Sequence, residues 1–445
     1  MNHPYLPLTD DQRREMLAKI GVSDFEALLA AIPFQLRLKQ PLNLPPSLTE
    51  MELSRFFQGL AGQNAIPELS FIGAGAYQHY IPSVVNHLAA RSEFYTAYTP
   101  YQPEISQGML QAIFEYQTYV SELFSLPIAN ASLYDGPTAL AEAVLMAVKE
   151  TGRSRVILLG AIHPAAVEVV KTYLKFSSAE LVIIPDQDGR ADLPALQREL
   201  AAETAAVAVQ NPNFYGIIED LPDIIERIKA AKAVPICYVH PLTLGLLEAP
   251  GRLGAEIVVA EGQPLGNPVA YGGPYLGMMA VSERFLRRIP GRLVGETVDR
   301  QGRRSYVLTL QTREQHIRRE KATSNICSNE ALCALRAAIY LSVIGPEGLR
   351  SIASRCFDNA HYLQERLASK GFRLCYDQPF FMEFAIVTPK PAALYIEKLR
   401  PKGILPGLDL GGYNPAFSNR LLICATEIFA QAQLDRFVTE MGEVQ

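Results

Sequence analysis

Between residues 155 and 262, short apolar runs rich in β-branched residues alternate with amphipathic stretches, and this alternation restricts the fold more than any other feature of the chain. R-V-I-L-L-G (155–160) precedes H-P-A-A-V-E-V-V-K-T-Y-L-K-F, and L-V-I-I-P-D (181–186) precedes D-L-P-A-L-Q-R-E-L. A-A-V-A-V-Q (205–210) precedes D-L-P-D-I-I-E-R-I-K-A-A-K; V-P-I-C-Y-V (234–239) and A-E-I-V-V-A-E-G (255–262) follow. Runs that are apolar without a break, with helices between them, predict an α/β domain whose mostly parallel sheet is covered on both faces. Open sheets of this kind bind ligands at the carboxyl ends of their strands. Here those ends carry His163, Asn211, His240 and Glu261 to Gln263, each of which can equally be a satisfied turn residue.

The flanks differ in character. Residues 1–65 read as a small helical segment: Thr9 with Gln12, Ser23 with Glu26 and Thr49 with Glu52 fit the capping-box spacing, and P-L-N-L-P-P (41–46) is a spacer. A large α/β domain is expected over 66–329, and a smaller α/β domain over 330–445. The small domain opens with the helix E-A-L-C-A-L-R-A-A-I-Y-L-S-V-I and contains the strands F-M-E-F-A-I-V-T and R-L-L-I-C-A-T. Ser70–Gln78, S-F-I-G-A-G-A-Y-Q, is a glycine-rich connection that reads as a small-residue packing contact rather than a phosphate loop. Asp135, Gly136, Pro137 and Thr138 open an Ala-rich helix in the form suited to receive an anion at a helix N-terminus, although many helices start this way without a ligand.

With 20% charged residues and a net charge of −5, a nucleic acid is not the expected partner. The first residues have no basic stretch followed by an apolar core, and no apolar run is long enough to cross a bilayer, so no membrane is expected either. The six cysteines are dispersed without C-x-x-C or zinc-ligand spacing, which suits a cytoplasmic enzyme with reduced thiols and no metal.

Two polar segments stand out. Glu93–Gly108 interleaves Tyr95, Tyr98 and Tyr101 with Thr96, Thr99, Gln102 and Glu104, while Pro100 and Pro103 deny it a helix. A tyrosine offers an apolar ring and a hydroxyl, as does the wall of a site for a small polar molecule; the bland alternative is a stiffened connection packed on the fold. Leu310–Cys327 gathers Arg313, His316, Arg318, Arg319 and Lys321 against Glu314 and Glu320, followed by Thr323, Ser324 and Asn325. Such a set can clamp a phosphate or carboxylate, or can be an interdomain strap tied by Arg–Glu pairs.

A large α/β domain followed by a small one resembles the fold-type I enzymes that use pyridoxal phosphate. Such an enzyme holds its cofactor on a lysine beyond the late sheet strands and keeps the pyridine nitrogen protonated with an acidic residue. Between Lys232 and Lys321 this chain has eleven arginines and no lysine, and the strand end that should supply the acid reads Y-V-H-P-L, with His240.

Five longer motifs resolve the difficulty. F-Y-T-A-Y-T-P-Y-Q-P-E-I-S-Q-G, Y-D-G-P-T-A-L-A-E-A, E-G-Q-P-L-G-N-P-V-A-Y-G-G-P-Y-L-G, P-G-R-L-V-G-E-T-V-D and T-R-E-Q-H-I-R-R-E-K-A-T-S-N-I-C lie between Phe94 and Cys327 and anchor a resemblance that covers nearly the whole chain. Together they resemble the glycine-cleavage P protein family, glycine dehydrogenase (decarboxylating), in its two-subunit bacterial form and there the subunit 1 branch. The resemblance implies that a related subunit 2 carries the cofactor lysine, and that two of each subunit assemble with active sites between the two kinds of chain. The complex decarboxylates glycine on pyridoxal phosphate and passes an aminomethyl group to the lipoyl arm of the H protein, releasing CO2. Tyr95, Thr96, Tyr98, Thr99, Tyr101, Gln102 and Glu104 are then expected near glycine and the lipoyl arm. Arg313, His316, Arg318, Lys321, Thr323, Ser324 and Asn325 are expected to approach the cofactor phosphate or the substrate carboxylate across the interface. Two other readings stand beside this one: a non-catalytic scaffold subunit, and a self-sufficient pyridoxal-phosphate lyase or transaminase using Lys321 or another lysine.

Overall fold

The computed structural model describes residue 5, residues 7–327 and residues 329–444. Contacts divide the chain into residues 1–65 and residues 66–445.

The segment 1–65 is helical at its ends, with helices Asp10–Ile20 and Glu50–Ala61. Both expected capping boxes at Thr9 and Thr49 form. The box expected at Ser23 does not: Asp24 accepts the Ala27 amide at 2.9 Å and caps the one-turn helix Phe25–Leu28, because its carboxylate is the stronger acceptor and lies one residue nearer. Among its described residues this segment has no buried side chain, and the stripe Leu53, Phe56, Phe57 and Leu60 of its second long helix is exposed.

Residues 66–445 are built on a seven-stranded sheet. Its strands are β1 (Ile128–Ala129), β2 (Arg155–Leu159), β3 (Glu180–Ile184), β4 (Thr204–Asn211), β5 (Val234–Val239), β6 (Ile257–Glu261) and β7 (Gly277–Val281), in the order β1-β7-β6-β5-β4-β2-β3. The five neighbours from β6 to β3 are parallel, and β7 runs against both of its neighbours. Alternate residues feed two cores. Ile157, Leu159, Val207, Val209, Cys237 and Val239 face one; Val156, Leu158, Ala206, Ala208, Val234 and Ile236 face the other. Both faces being dry explains why these runs carry no polar alternation. The D-L-P motifs start the crossover helices as expected, with Asp192 and Asp220 accepting the amides of Ala195 and Asp223. The second of these helices buries Leu221, Ile224, Ile225 and Ile228 at helical spacing, each stabilising by about 2 kcal/mol.

Beyond β7 a hairpin, Leu293–Val298 paired with Arg304–Thr309, leaves the sheet. The helix Gln107–Phe124 holds its backbone with two glutamines: Gln107 exchanges hydrogen bonds with Tyr306 (2.9 Å each way), and Gln117 with Val294 (2.9 and 3.0 Å).

The helix Ala331–Ala368 is broken at Gly345, where φ is +59°, just before Pro346. By length and composition it is apolar enough to cross a membrane, which corrects the expectation that no such run exists. Cys333, Ala334, Leu335, Ala337, Ala338, Tyr340 and Leu341 are nevertheless buried in the protein. A small antiparallel sheet follows, ordered Arg373–Leu374, Glu383–Val387, Arg420–Cys424, Leu408–Asp409. Its core reaches back to the start of the unit. Leu69–Ser70 pairs with Ile404–Leu405, and Phe71 stacks on Phe429 and Phe437 at 4.5 and 3.9 Å between ring centres. Residues 69–77 therefore pack with the C-terminal domain, although sequence order assigns them to the large one.

Tyr116, on the helix Gln107–Phe124, has a buried ring and a hydroxyl with no hydrogen-bond partner. Tyr116→Phe removes a polar group whose burial is uncompensated, so its urea midpoint is expected at or above that of the wild type, within about 1 kcal/mol; a loss beyond about 2 kcal/mol would show that the hydroxyl is bonded.

Candidate functional site

The carboxyl ends of β4, β5 and β6 converge on a crevice closed on its far side by Tyr77 and by Phe381 to Glu383 of the C-terminal domain. The space left in it is about 40 Å3, room for one or two waters. Asn211 and His163 are satisfied turn residues: Asn211 accepts the Glu219 amide at 2.9 Å, while His163 accepts the Ala165 amide at 3.1 Å and places Nε2 2.9 Å from the Ala74 carbonyl. Gln263 exchanges hydrogen bonds with the Tyr77 backbone at 2.8 and 2.9 Å. His240 is different. Both of its ring nitrogens are buried without a partner, its ring meets Tyr77 edge-on at 4.6 Å, and burial together with the nearby His79 holds its pKa well below the ordinary value.

What fills the crevice is the segment Gly73–Tyr80, held by carboxylates of the C-terminal domain. Glu383 accepts the Ala74 amide and the Tyr77 hydroxyl, both at 2.7 Å. Glu427 accepts the Tyr80 amide at 2.8 Å and pairs with His79 Nδ1 at 2.7 Å. A Cβ at residue 73 would collide with the Glu383 carboxylate, so the G-A-G run is a close-packing contact, as read from the sequence. Burial pushes Glu383 up to about 7. Burial alone would raise Glu427 as well, but its bonds from His79 and Tyr80 outweigh that and leave it below the ordinary carboxylate value. Pyridoxal phosphate does not fit this crevice: the space is full, and the lysine-free run from 233 to 320 includes the ends of β5 and β6.

The two polar segments lie elsewhere and face outward. Tyr95, Tyr98 and Tyr101 are 69%, 82% and 54% exposed, and Gln102 and Glu104 are exposed. Tyr98, Thr99, Tyr101 and Gln102 border an open hollow of about 670 Å3. The prolines do not keep the segment wholly free of helix, since one turn forms at Ser92–Tyr95 before Pro100, and Thr96 donates its hydroxyl to the Ser92 carbonyl at 2.7 Å. In the basic segment His316, Arg318, Lys321 and Asn325 are exposed, while Thr323 and Ser324 are half-buried. Arg313 turns inward: its guanidinium donates to the carbonyls of Ile289, Gly291 and Leu310.

One residue that the sequence reading did not single out joins the two segments. The Arg292 guanidinium, 3% exposed, lies 4.8 Å from the Tyr101 ring centre, 3.7 Å from the buried Glu314 carboxylate and 3.1 Å from the Cys327 sulfur, to which Nη2 donates. A desolvated cation over an aromatic face and beside a carboxylate is held by both. Arg292 thus fixes the tyrosine loop against the basic segment. Glu383 was missed too, although a lone acid inside the apolar run F-M-E-F-A-I-V was a legible sign of it.

The family model described as glycine cleavage system P-protein matches residues 3–441. A probable glycine dehydrogenase (decarboxylating) subunit 1 of Moorella thermoacetica is 50% identical over 438 residues, 98% of each chain. A protein of the same description from Desulforamulus reducens is 49% identical over 443 residues, 99% of each chain. A crystal structure of glycine decarboxylase (P-protein) of the glycine cleavage system, in inhibitor-bound form, superposes with a TM-score of 0.91 at 44% identity and covers both chains completely. A sphingosine-1-phosphate lyase of Burkholderia pseudomallei, with a TM-score of 0.67 at 14% identity over 93% of this chain and 94% of its own, shares the fold alone. The expected α/β class of fold type I is the one observed.

Because the folded-state pKa of Glu383 lies above its ordinary 4.5, its contribution to stability is complete below about 4.5 and is lost as pH rises through about 7. The advantage of the wild type over Glu383→Gln in unfolding free energy, read from urea denaturation, is therefore expected to shrink across that window by of order 3 kcal/mol. An advantage that stays constant would show that burial does not shift Glu383, and one that grows with pH would show that the folded state favours the ionised carboxylate.

Proposed function

The chain belongs to the glycine cleavage system P-protein family, and we propose that it acts as subunit 1 of a two-subunit glycine dehydrogenase (decarboxylating) whose active site forms only with subunit 2. The observation that carries this reading is the closed crevice: a fold-type I chain whose own cofactor position is filled by Tyr77 and Glu383 and reached by no lysine, yet which keeps two polar loops clasped together on its surface. The complex decarboxylates glycine and transfers the aminomethyl group to the lipoyl arm of the H protein. Pyridoxal phosphate, held covalently by subunit 2, supplies the electron sink. Two copies of each subunit make up the assembly.

In this reading Tyr95, Tyr98 and Tyr101, with Thr96, Thr99, Gln102 and Glu104, form the wall that excludes water beside glycine and the lipoyl arm. His316, Arg318, Lys321, Thr323, Ser324 and Asn325 supply charge and donors toward the phosphate or the substrate carboxylate. Arg313 supports them from beneath through its bonds to the backbone at 289–291. The cytoplasm suits the chain, whose six cysteines are all free thiols. The scaffold alternative leaves the outward tyrosines and basic groups without a task. The self-sufficient alternative lacks a lysine at the sheet crevice.

Added pyridoxal phosphate is expected to give no glycine-responsive visible absorbance with this chain alone and a glycine-responsive band once subunit 2 is present; such a band from this chain alone would overturn the reading. Tyr98→Phe and Arg318→Ala should each lower turnover of the assembled complex at least tenfold with light scattering unchanged. Wild-type turnover in either variant removes that residue from the site.

A further inference from the structure

The N-terminus of the helix Gly136–Thr151 has the form suited to receive an anion, although many helices start this way without a ligand. The structure shows that place taken by a side chain of the same protein. The Glu261 carboxylate, at the end of β6, accepts the Gly136 amide through Oε2 at 2.9 Å, and the amides of Gln263 and Leu276 through Oε1 at 2.9 and 3.0 Å. Asp135 accepts the Thr138 amide at 2.7 Å, and residue 137 is a proline without an N–H, so the first turn of the helix has no donor left for a ligand. The approach is close because residue 136 is glycine: a Cβ there would lie 2.6 Å from the Tyr238 hydroxyl and 2.9 Å from the Glu261 amide. Glu261 lines the same crevice as His240, whose two ring nitrogens are buried without a hydrogen-bond partner.

Three convergent backbone amides and the positive end of a 16-residue helix are what a phosphate group binds. We propose that Glu261 is a built-in substitute for a phosphate: it occupies the anion seat of this crevice, and its removal turns the seat into a binding site for a tetrahedral oxyanion such as inorganic phosphate or a phosphate monoester. The chain's failure to accommodate a phosphorylated cofactor is then an active exclusion as well as the loss of a lysine. With Glu261 in place, an incoming phosphate would meet a carboxyl group and no free donor. This inference concerns the single chain, and its outcome is separate from the glycine reading.

The test is thermal unfolding of wild type, Glu261→Ala and Glu261→Gln, each titrated with inorganic phosphate against sodium chloride at matched ionic strength, with 31P line widths recorded in parallel. Glu261→Ala is expected to show a saturable phosphate-dependent rise in Tm and broadening of the phosphate signal, with affinity at least tenfold above that of the wild type. Glu261→Gln keeps an acceptor in the seat and is expected to respond as the wild type does. Equal phosphate responses in Glu261→Ala and wild type would overturn the proposal, as would tight binding by the wild type. Should Glu261→Ala be recovered unfolded, refolding in phosphate rather than chloride is expected to restore it, and failure to do so also overturns the proposal.

Discussion

The relation between the large sheet and the C-terminal domain depends on two buried carboxylates that reach across to one short segment. Glu383 and Glu427 take the amides of Ala74 and Tyr80, the Tyr77 hydroxyl and a ring nitrogen of His79. A carboxyl group moved out of water is costly unless its oxygens are satisfied, and here the partners come from the backbone and side chains of one segment. Holding Gly73–Tyr80 in place has two effects at once. It closes the crevice at the ends of the parallel strands, and it joins the first strand of the unit, Leu69–Ser70, to the last domain.

With the sheet crevice closed, the groups suited to meet a ligand or another chain are those on the surface. Arg292 decides their arrangement. Its guanidinium sits between the Tyr101 ring, the Glu314 carboxylate and the Cys327 sulfur, so two loops some two hundred residues apart in sequence are fixed to one point. The hairpin that begins just after it is itself pinned by Gln107 and Gln117, from the helix that follows the tyrosine loop. The outward tyrosines thus stand on a supported base.

The five parallel strands were legible because burial on both faces makes each of them a continuous apolar run. Strand β7, G-M-M-A-V, was not: glycine and methionine carry no β-branched signature, and its place is set by β6 and β1 beside it. The hairpin was missed for a related reason, since L-V-G-E-T-V is half exposed and its register is fixed by two distant glutamines. Composition revealed the tyrosine loop and the basic segment. It could not reveal that Arg313 turns in toward three carbonyls while Arg292, an unremarked residue of P-G-R-L, joins the segments. Such roles are set by proximity between remote positions. The helix start at Asp135–Thr138 had a form suited to an anion but equally found without one, and the group that meets it is a glutamate 125 residues onward.

The run from residue 233 to 320 carries eleven cationic side chains, every one of them arginine. A guanidinium holds its proton at any physiological pH, whereas a desolvated ammonium group readily loses one and becomes a nucleophilic amine. Carbonyl compounds condense with free amines and leave guanidinium groups largely alone. This part of the chain can therefore present positive charge to a reactive aldehyde without capturing it.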